Sequence, residues 1–148
     1  MELEYKGANC VVIKDRGAIL VVDPTSNVSV KEADNPDAVI LATQEKFAKS
    51  EREAKSFVID MPGEYEHKNI SIQGIPVHVH TDKDGTRGTI YRIEMQDARI
   101  AVIGHTDAPL SDDDLETLGV VDMVIVPVGG GGYTLDARDA ATIVNQIS

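Results

Sequence analysis

The chain is poor in cysteine, aromatic residues and positive charge. Its one cysteine, Cys10, cannot form an internal disulfide, so we expect a reducing, cytoplasmic setting. Tryptophan is absent, and two Phe and four Tyr are too few to favour a base-stacking surface. The 25 acidic residues outnumber the 14 basic ones and give a net charge of −11. Because nucleic acid attracts basic surfaces, we expect no nucleic-acid partner.

Long apolar segments are also missing. No apolar run approaches the ~20 residues of a transmembrane helix, so we expect no membrane partner. Residues 1–4 are acidic where a signal peptide would be basic and then apolar. What is present, 148 residues of which 42% are hydrophobic and 26% charged, is typical of one globular domain. We therefore expect a single domain over 1–148.

The first half of the chain has the pattern of short strands. Runs rich in Val and Ile at 10–14 and 18–22, separated by a turn that contains Gly, predict a hairpin. Further strands are predicted at 37–41, 57–60, 88–95, 99–103 and 123–126, with one or two within 70–79. Asp84-Gly85 is a hairpin-turn signal and Pro62-Gly63 is a turn signal.

Helices are predicted at three places. Residues 43–55 combine good helix formers with a charged face. Ser111 and Asp114 predict a capping box at the start of a second helix. A third helix opens at Thr134 or Asp136. Its buried face is expected to contain Ala137, Ala140, Ala141 and Val144. A run of strands followed by strand–helix units predicts an α+β fold.

Four residues form a candidate metal site. His78 and His80 are two positions apart in a strand pattern, so their side chains are expected on one face. His105 and Asp107 repeat this spacing at the end of another strand. Imidazole and carboxylate groups are zinc ligands, which makes these four residues candidates. The same spacing also occurs among solvent-exposed residues that bind no metal, and both interpretations stay open.

Several motifs follow one another in a recognisable order. They are Gly-Ala-Asn-Cys at 7–10, Val-Val-Asp-Pro at 21–24, Pro-Gly-Glu-Tyr-Glu at 62–66, a hairpin at 88–101 and, most specifically, the stretch 121–137. This order resembles the metallo-β-lactamase superfamily, in particular its zinc-dependent, lactonase-like hydrolases. The resemblance implies an αββα sandwich.

The sequence departs from the family at the metal motif. The family has Thr-His-x-His-x-Asp-His after a strand, and residues 43–49 stand in that register here. The implied ligand positions are Gln44, Lys46, Ala48 and Lys49. The resemblance further implies that His80 corresponds to a third family histidine and that His105 replaces a bridging aspartate. Without its ligands the family's metal chemistry, which generates hydroxide and polarises the scissile bond, would fail.

The resemblance also implies that the fold is incomplete at the C-terminus, because the family's last ligand-bearing strand has no counterpart before Ser148. An uncovered sheet edge would then be closed by a second copy of the chain or by a C-terminal segment. The expected function is that of a hydrolase-fold protein without a metal cofactor and without catalysis. The alternatives are a zinc-dependent hydrolase with a one-metal site from His78, His80, His105 and Asp107, or a hydrolase fragment that needs its C-terminal segment.

Overall fold

The computed structural model describes residues 1–25, 27–28, 30–48, 55–79, 87–130 and 134–148. The chain divides into two compact units, Met1–Met61 and Pro62–Ser148. Each unit contains one five-stranded sheet, and the helices are few. The predicted α+β class is confirmed, whereas a single domain over 1–148 stays a prediction. None of the described helices has the length and apolar character to cross a membrane.

The sheet of the first unit contains the first five strands in chain order. They are β1 (Glu2–Gly7), β2 (Cys10–Asp15), β3 (Ala18–Val22), β4 (Ala38–Leu41) and β5 (Phe57–Ile59). The first three strands pair antiparallel, and β4 and β5 continue parallel to β3. Because parallel neighbours point the same way, the carboxyl ends of β3, β4 and β5 meet at one edge of the sheet.

The predicted hairpin at 10–22 is confirmed as β2 and β3. Asp15 pairs with Ala18 across a two-residue turn. Both turn residues have positive φ, 45° at Arg16 and 83° at Gly17, and such turns match the right-handed twist of paired strands. Alternate apolar residues of the two strands then contribute to a core cluster. Its buried members are Cys10, Val12, Val21, Val30 and Ile40.

A connection containing the 3-10 helix Lys31–Asp34 joins β3 to β4. Glu32 in this helix is buried, and it accepts a hydrogen bond from the Lys14 ammonium at 2.9 Å. The Lys6 ammonium lies 3.9 Å from the other carboxylate oxygen of Glu32. These two lysines on the sheet therefore fix the connection over β1 and β2.

The sheet of the second unit has the strand order β10-β9-β8-β7-β6. Its strands are β6 (Gly63–His67), β7 (Ile70–His78), β8 (Arg87–Glu94), β9 (Arg99–Val102) and β10 (Met123–Ile125). Strands β6 to β9 pair antiparallel, whereas β10 runs parallel to β9. Helix α2 (Asp112–Leu118) lies between β9 and β10 in the chain, and α3 (Ala137–Ile147) follows β10; the short helix α1 (Glu45–Ala48) belongs to the first unit.

Helices α2 and α3 contribute to one apolar core with the sheet. Leu118 of α2 and Ala140 and Ile143 of α3 join buried strand residues in this core. The predicted capping box is confirmed, because the Asp114 N–H donates to the Ser111 hydroxyl at 3.2 Å and the Ser111 N–H donates to the Asp114 carboxylate at 3.2 Å. The start of α2 is therefore set by its own sequence.

The predicted buried face of α3 is partly wrong. Ala140 is buried as expected, but Ala137 and Ala141 are exposed and Ile143 is buried instead. The core-facing stripe follows the spacing of Ala140, Ile143 and Ile147, so small alanines on the neighbouring stripe face solvent. Asp136 rather than Thr134 caps this helix, accepting from the N–H groups of residues 138 and 139.

Two strands were not predicted from the sequence, β1 and β6. Each is the end strand of its sheet, and β6 starts within the segment that predicted a turn. Both alternate glutamates with other residues and lack an apolar run, so they give no strand signal of the usual kind. Of the helix predicted at 43–55 the structure describes Glu45–Ala48, and residues 49–54 lie outside the described parts. Asp84-Gly85 also lies outside them.

Candidate functional site

A buried polar network lies at the carboxyl ends of β3 and β4. Asp23 directly follows β3, is fully buried and has a positive φ of 43°, which Asp tolerates better than most residues. Its carboxylate accepts hydrogen bonds from the Thr43 N–H at 2.7 Å and the Thr43 hydroxyl at 2.6 Å. The Asn9 side-chain amide also donates to it. The network therefore fastens the loop after β4 to the end of β3.

The loop that Thr43 begins contains the positions that the resemblance aligns with metal ligands. Gln44 is buried, and the backbone then turns into α1. Lys46 and Ala48 lie within α1, and Lys49 lies outside the described residues. The side chains present in this register are an amide, two ammonium groups and a methyl group. An ammonium group has no lone pair for a metal until it loses its proton, so this donor set does not fit a zinc ion.

Cys10 lies at the start of β2, close to the same network. Its thiol is buried, and it is free, as expected for the one cysteine of the chain. Burial, and to a smaller extent the negative charge of Asp23, raise the pKa of this thiol to about 11, and Lys6 opposes this effect. A thiol with this pKa is protonated at neutral pH, so Cys10 is a poor nucleophile and a poor metal ligand.

The predicted metal-site residues His78, His105 and Asp107 belong to the second unit. The carbonyl oxygen of His78, at the end of β7, accepts from the Thr106 hydroxyl at 3.3 Å and from the Asp107 N–H at 3.3 Å. These bonds bring the end of β7 beside the loop that follows β9. The side chains of His78 and Asp107 are exposed, whereas His105 is buried. The structure thus joins His78 to the segment that contains His105 and Asp107 through the His78 carbonyl oxygen.

Within the described part of the chain, no three His, Cys, Asp or Glu side chains are grouped so that they could hold a metal ion. His78, His105 and Asp107 are therefore not placed as a set of three ligands. His80, the fourth member of the predicted site, lies outside the described residues. The four-residue zinc site of the alternative function consequently stays a prediction.

Asn9 and Thr43 are not predictable from local sequence as partners of Asp23. The hydrogen bonds join residues 14 and 20 positions apart, so no local pattern contains them. One signal was available: Asp23 and Thr43 each stand just past a predicted strand. Had β3 and β4 been recognised as parallel neighbours, the two side chains would have been expected at the same sheet edge.

Comparison with known proteins identifies the fold. The beta-lactamase superfamily domain matches residues 2–148. A protein from Thermotoga maritima assigned to the zinc-dependent hydrolases of the metallo-β-lactamase superfamily superposes with a TM-score of 0.71 and 22% identity, over 98% of this chain and 70% of that chain. A protein from Parabacteroides distasonis assigned as a metal-dependent hydrolase gives a TM-score of 0.71 and 18% identity, over 97% and 76% of the two chains.

A metallo hydrolase from Ignicoccus hospitalis is similar at a TM-score of 0.67 and 14% identity, over 98% of this chain and 77% of that chain. At these identities the similarity concerns the fold alone, and each neighbour contains more chain than is present here. No curated protein matches the chain. Because the family match extends over 2–148, the chain belongs to the β-lactamase superfamily and has the metallo-β-lactamase fold.

Proposed function

We propose that this protein uses the metallo-β-lactamase fold as a non-catalytic binding or structural module. The observation that supports the proposal is the donor set after Thr43, where Gln44, Lys46, Ala48 and Lys49 stand in the register of the family's metal ligands. Metal-dependent hydrolysis needs a Lewis acid that lowers the pKa of a bound water. Two ammonium groups at these positions would repel the divalent metal ion that has to act as the Lewis acid.

The network beneath the loop supports the same proposal, because it does not need a metal. Asp23 is satisfied by hydrogen bonds from Thr43 and Asn9, all supplied by the chain itself. The loop therefore keeps its attachment to the sheet whichever side chains follow Thr43. A fold whose stability comes from strands and such contacts can persist after its ligand positions change.

The experiment is a measurement of metal content on the full chain. The protein is purified without a tag in the presence of trace zinc, and bound metals are quantified by plasma mass spectrometry. We expect a zinc content near zero in the unmodified chain. The same content is expected in His105→Ala and in the matched control His67→Ala, which removes a histidine from the end of β6.

The second candidate is a zinc-dependent hydrolase with a one-metal site at His78, His80, His105 and Asp107. It is favoured by the hydrogen bonds that hold Thr106 and Asp107 against the His78 carbonyl. About one zinc per chain, lost in His80→Ala and His105→Ala but kept in His67→Ala, would overturn the non-catalytic proposal. Such a result would justify a screen with lactone and phosphodiester substrates.

A further inference from the structure

A groove lies on the second sheet beside its end strand β6. The β6 groove encloses about 380 Å³ and is lined by Glu64, Tyr65, Glu66, Ser71, Ile72, Gln73, Arg92 and Glu94. In the sheet register Glu64 is paired with Gln73, and Gln73 with Arg92. These side chains therefore share one face of the sheet, since directly paired residues project to the same side.

The same face is apolar farther along β7. Ile75 and Val77 stand two and four positions beyond Gln73 and belong to the core that α2 and α3 complete. Gln73 and Ser71 occupy the same face of the strand but line the open groove instead. The groove is thus a polar continuation of a sheet face whose other part packs against helices.

The groove carries an excess of negative charge. It contains the carboxylates of Glu64, Glu66 and Glu94 but a single guanidinium, that of Arg92. Arg92 donates to Glu94 at 2.9 Å, so this pair is internally compensated. Glu64 and Glu66 are exposed, and within the described part of the chain neither forms an ion pair. The uncompensated charge therefore lies on β6 itself.

The end strand of the first sheet shows the opposite arrangement. Strand β1 also has glutamates two positions apart, Glu2 and Glu4. Glu4 pairs with the Lys6 ammonium at 2.7 Å, and Glu2 stands opposite Lys14 in the register. Charged side chains on an end strand can serve simply to prevent aggregation. On β1 the glutamates lie beside Lys6 and Lys14, whereas on β6 they face the groove and an edge that, among the described residues, pairs with β7 alone.

We propose that the edge of β6, beside the groove, binds an extended basic segment of a partner protein, which adds to the second sheet as a strand. Lys or Arg at alternate positions of that segment would face Glu64 and Glu66, because side chains at alternate positions share a face and paired strands lie ~4.8 Å apart. Main-chain hydrogen bonds to the edge supply affinity, and the alternating charges supply specificity. A basic segment fits, whereas an acidic or apolar one would leave the two carboxylates unpaired.

The β6 groove contains no residue of the loop that follows Thr43, and binding at β6 does not depend on the absence of a metal. A zinc-loaded protein could still bind through β6, and a metal-free protein could fail to bind. The two proposals are therefore tested by separate measurements, metal content for the first and peptide binding for the second.

The probe is a fluorescent peptide, Thr-Lys-Val-Lys-Val-Lys-Thr, titrated with the full chain and followed by anisotropy. The control peptide, Lys-Lys-Lys-Val-Thr-Val-Thr, has the same composition and charge without the alternation. We expect the alternating peptide to bind more tightly and to weaken as salt rises, since exposed charge pairs are screened. The double variant E64Q/E66Q should lose about tenfold in affinity because two charge pairs are removed.

The matched control is E2Q/E4Q, which makes the same change of charge on β1. It should bind the alternating peptide as the unmodified chain does. Peptide binding should also slow amide hydrogen exchange in Gly63–His67, as expected when a strand edge becomes paired. Equal binding of the two peptides, equal losses in the two double variants, no binding at low salt, or unchanged exchange in β6 would each overturn the proposal.

Discussion

The hydrogen bond between the Thr43 hydroxyl and the Asp23 carboxylate offers the most direct test of the buried network. Thr43→Val removes this hydroxyl while keeping the branched shape of the side chain. The bond measures 2.6 Å, and both residues are almost completely buried. The Thr43 N–H still donates to the other carboxylate oxygen at 2.7 Å, so the variant isolates one contact of the network.

The expected loss follows from the charge and burial of the acceptor. A hydrogen bond to a charged group contributes about 1.5–3 kcal/mol, and water cannot replace it at a fully buried carboxylate. We expect Thr43→Val to lower the free energy of unfolding by about 2 kcal/mol. For a chain near this length, ~1 kcal/mol lowers the melting temperature by roughly 2–4 °C, so a decrease of about 4–8 °C is expected.

The assay is urea and thermal unfolding followed by circular dichroism, with Thr142→Val as the matched control. The Thr142 hydroxyl donates to the Arg138 carbonyl at 3.0 Å on the exposed side of α3. Its removal should change stability by less than about 0.5 kcal/mol. If the two variants lose the same stability, Asp23 does not fasten the loop after β4 and the argument for a self-supporting loop fails.

Three further predictions concern Glu32, Cys10 and Ser111. The hydrogen bond from Lys14 lowers the pKa of Glu32 below its ordinary 4.5, so its stabilisation is present above that pH and is lost as pH falls through the lower folded pKa. Glu32→Gln should flatten the stability profile in acid, measured by urea unfolding from neutral pH downward. Burial raises the pKa of Cys10 from 9.0 to about 11, so stability should fall as pH rises between these values, and Cys10→Ser should reduce that slope. Iodoacetamide should label native Cys10 far more slowly than the unfolded chain at pH 8, and equal rates would contradict its burial. Ser111→Ala should lower the free energy of unfolding by about 1 kcal/mol, because it removes the cap of α2. Thr117→Ala, near the other end of the helix, is the control. An equal loss of stability in the two variants would count against the capping box.

The sequence predicted those parts of the fold where a short segment decides its own structure. The hairpin at 10–22 has strands rich in Val and Ile and a turn with Gly17, and both features act locally. The capping box at Ser111 and Asp114 is likewise contained within four residues. The family resemblance, confirmed over 2–148, then placed these pieces in an α+β fold.

The end strands β1 and β6 could not be predicted in this way, because their alternating glutamates have the composition of a solvated loop. Such segments become strands only because an apolar neighbour, β2 or β7, offers its free edge for pairing. Tertiary pairing rather than local propensity decides their structure. The β6 groove was missed for the same reason, since its residues come from three strands that meet only in the sheet.

The network at Asp23 and the family's metal-ligand positions after Thr43 have different physical roles. Side chains at the ligand positions can therefore differ from those of the family while the hydrogen bonds of the network stay in place. Asp23 is buried and holds the backbone and hydroxyl of Thr43, so its replacement would leave buried donors without an acceptor. The positions that follow Thr43 are not bound by that requirement, and residues such as Lys46 can stand there without removing an acceptor from the network. Substitution at the ligand positions is therefore compatible with the fold, whereas substitution at Asp23 destabilises the strand ends that position the loop. The side chains at these positions can therefore vary without loss of the contacts that hold the strand ends together.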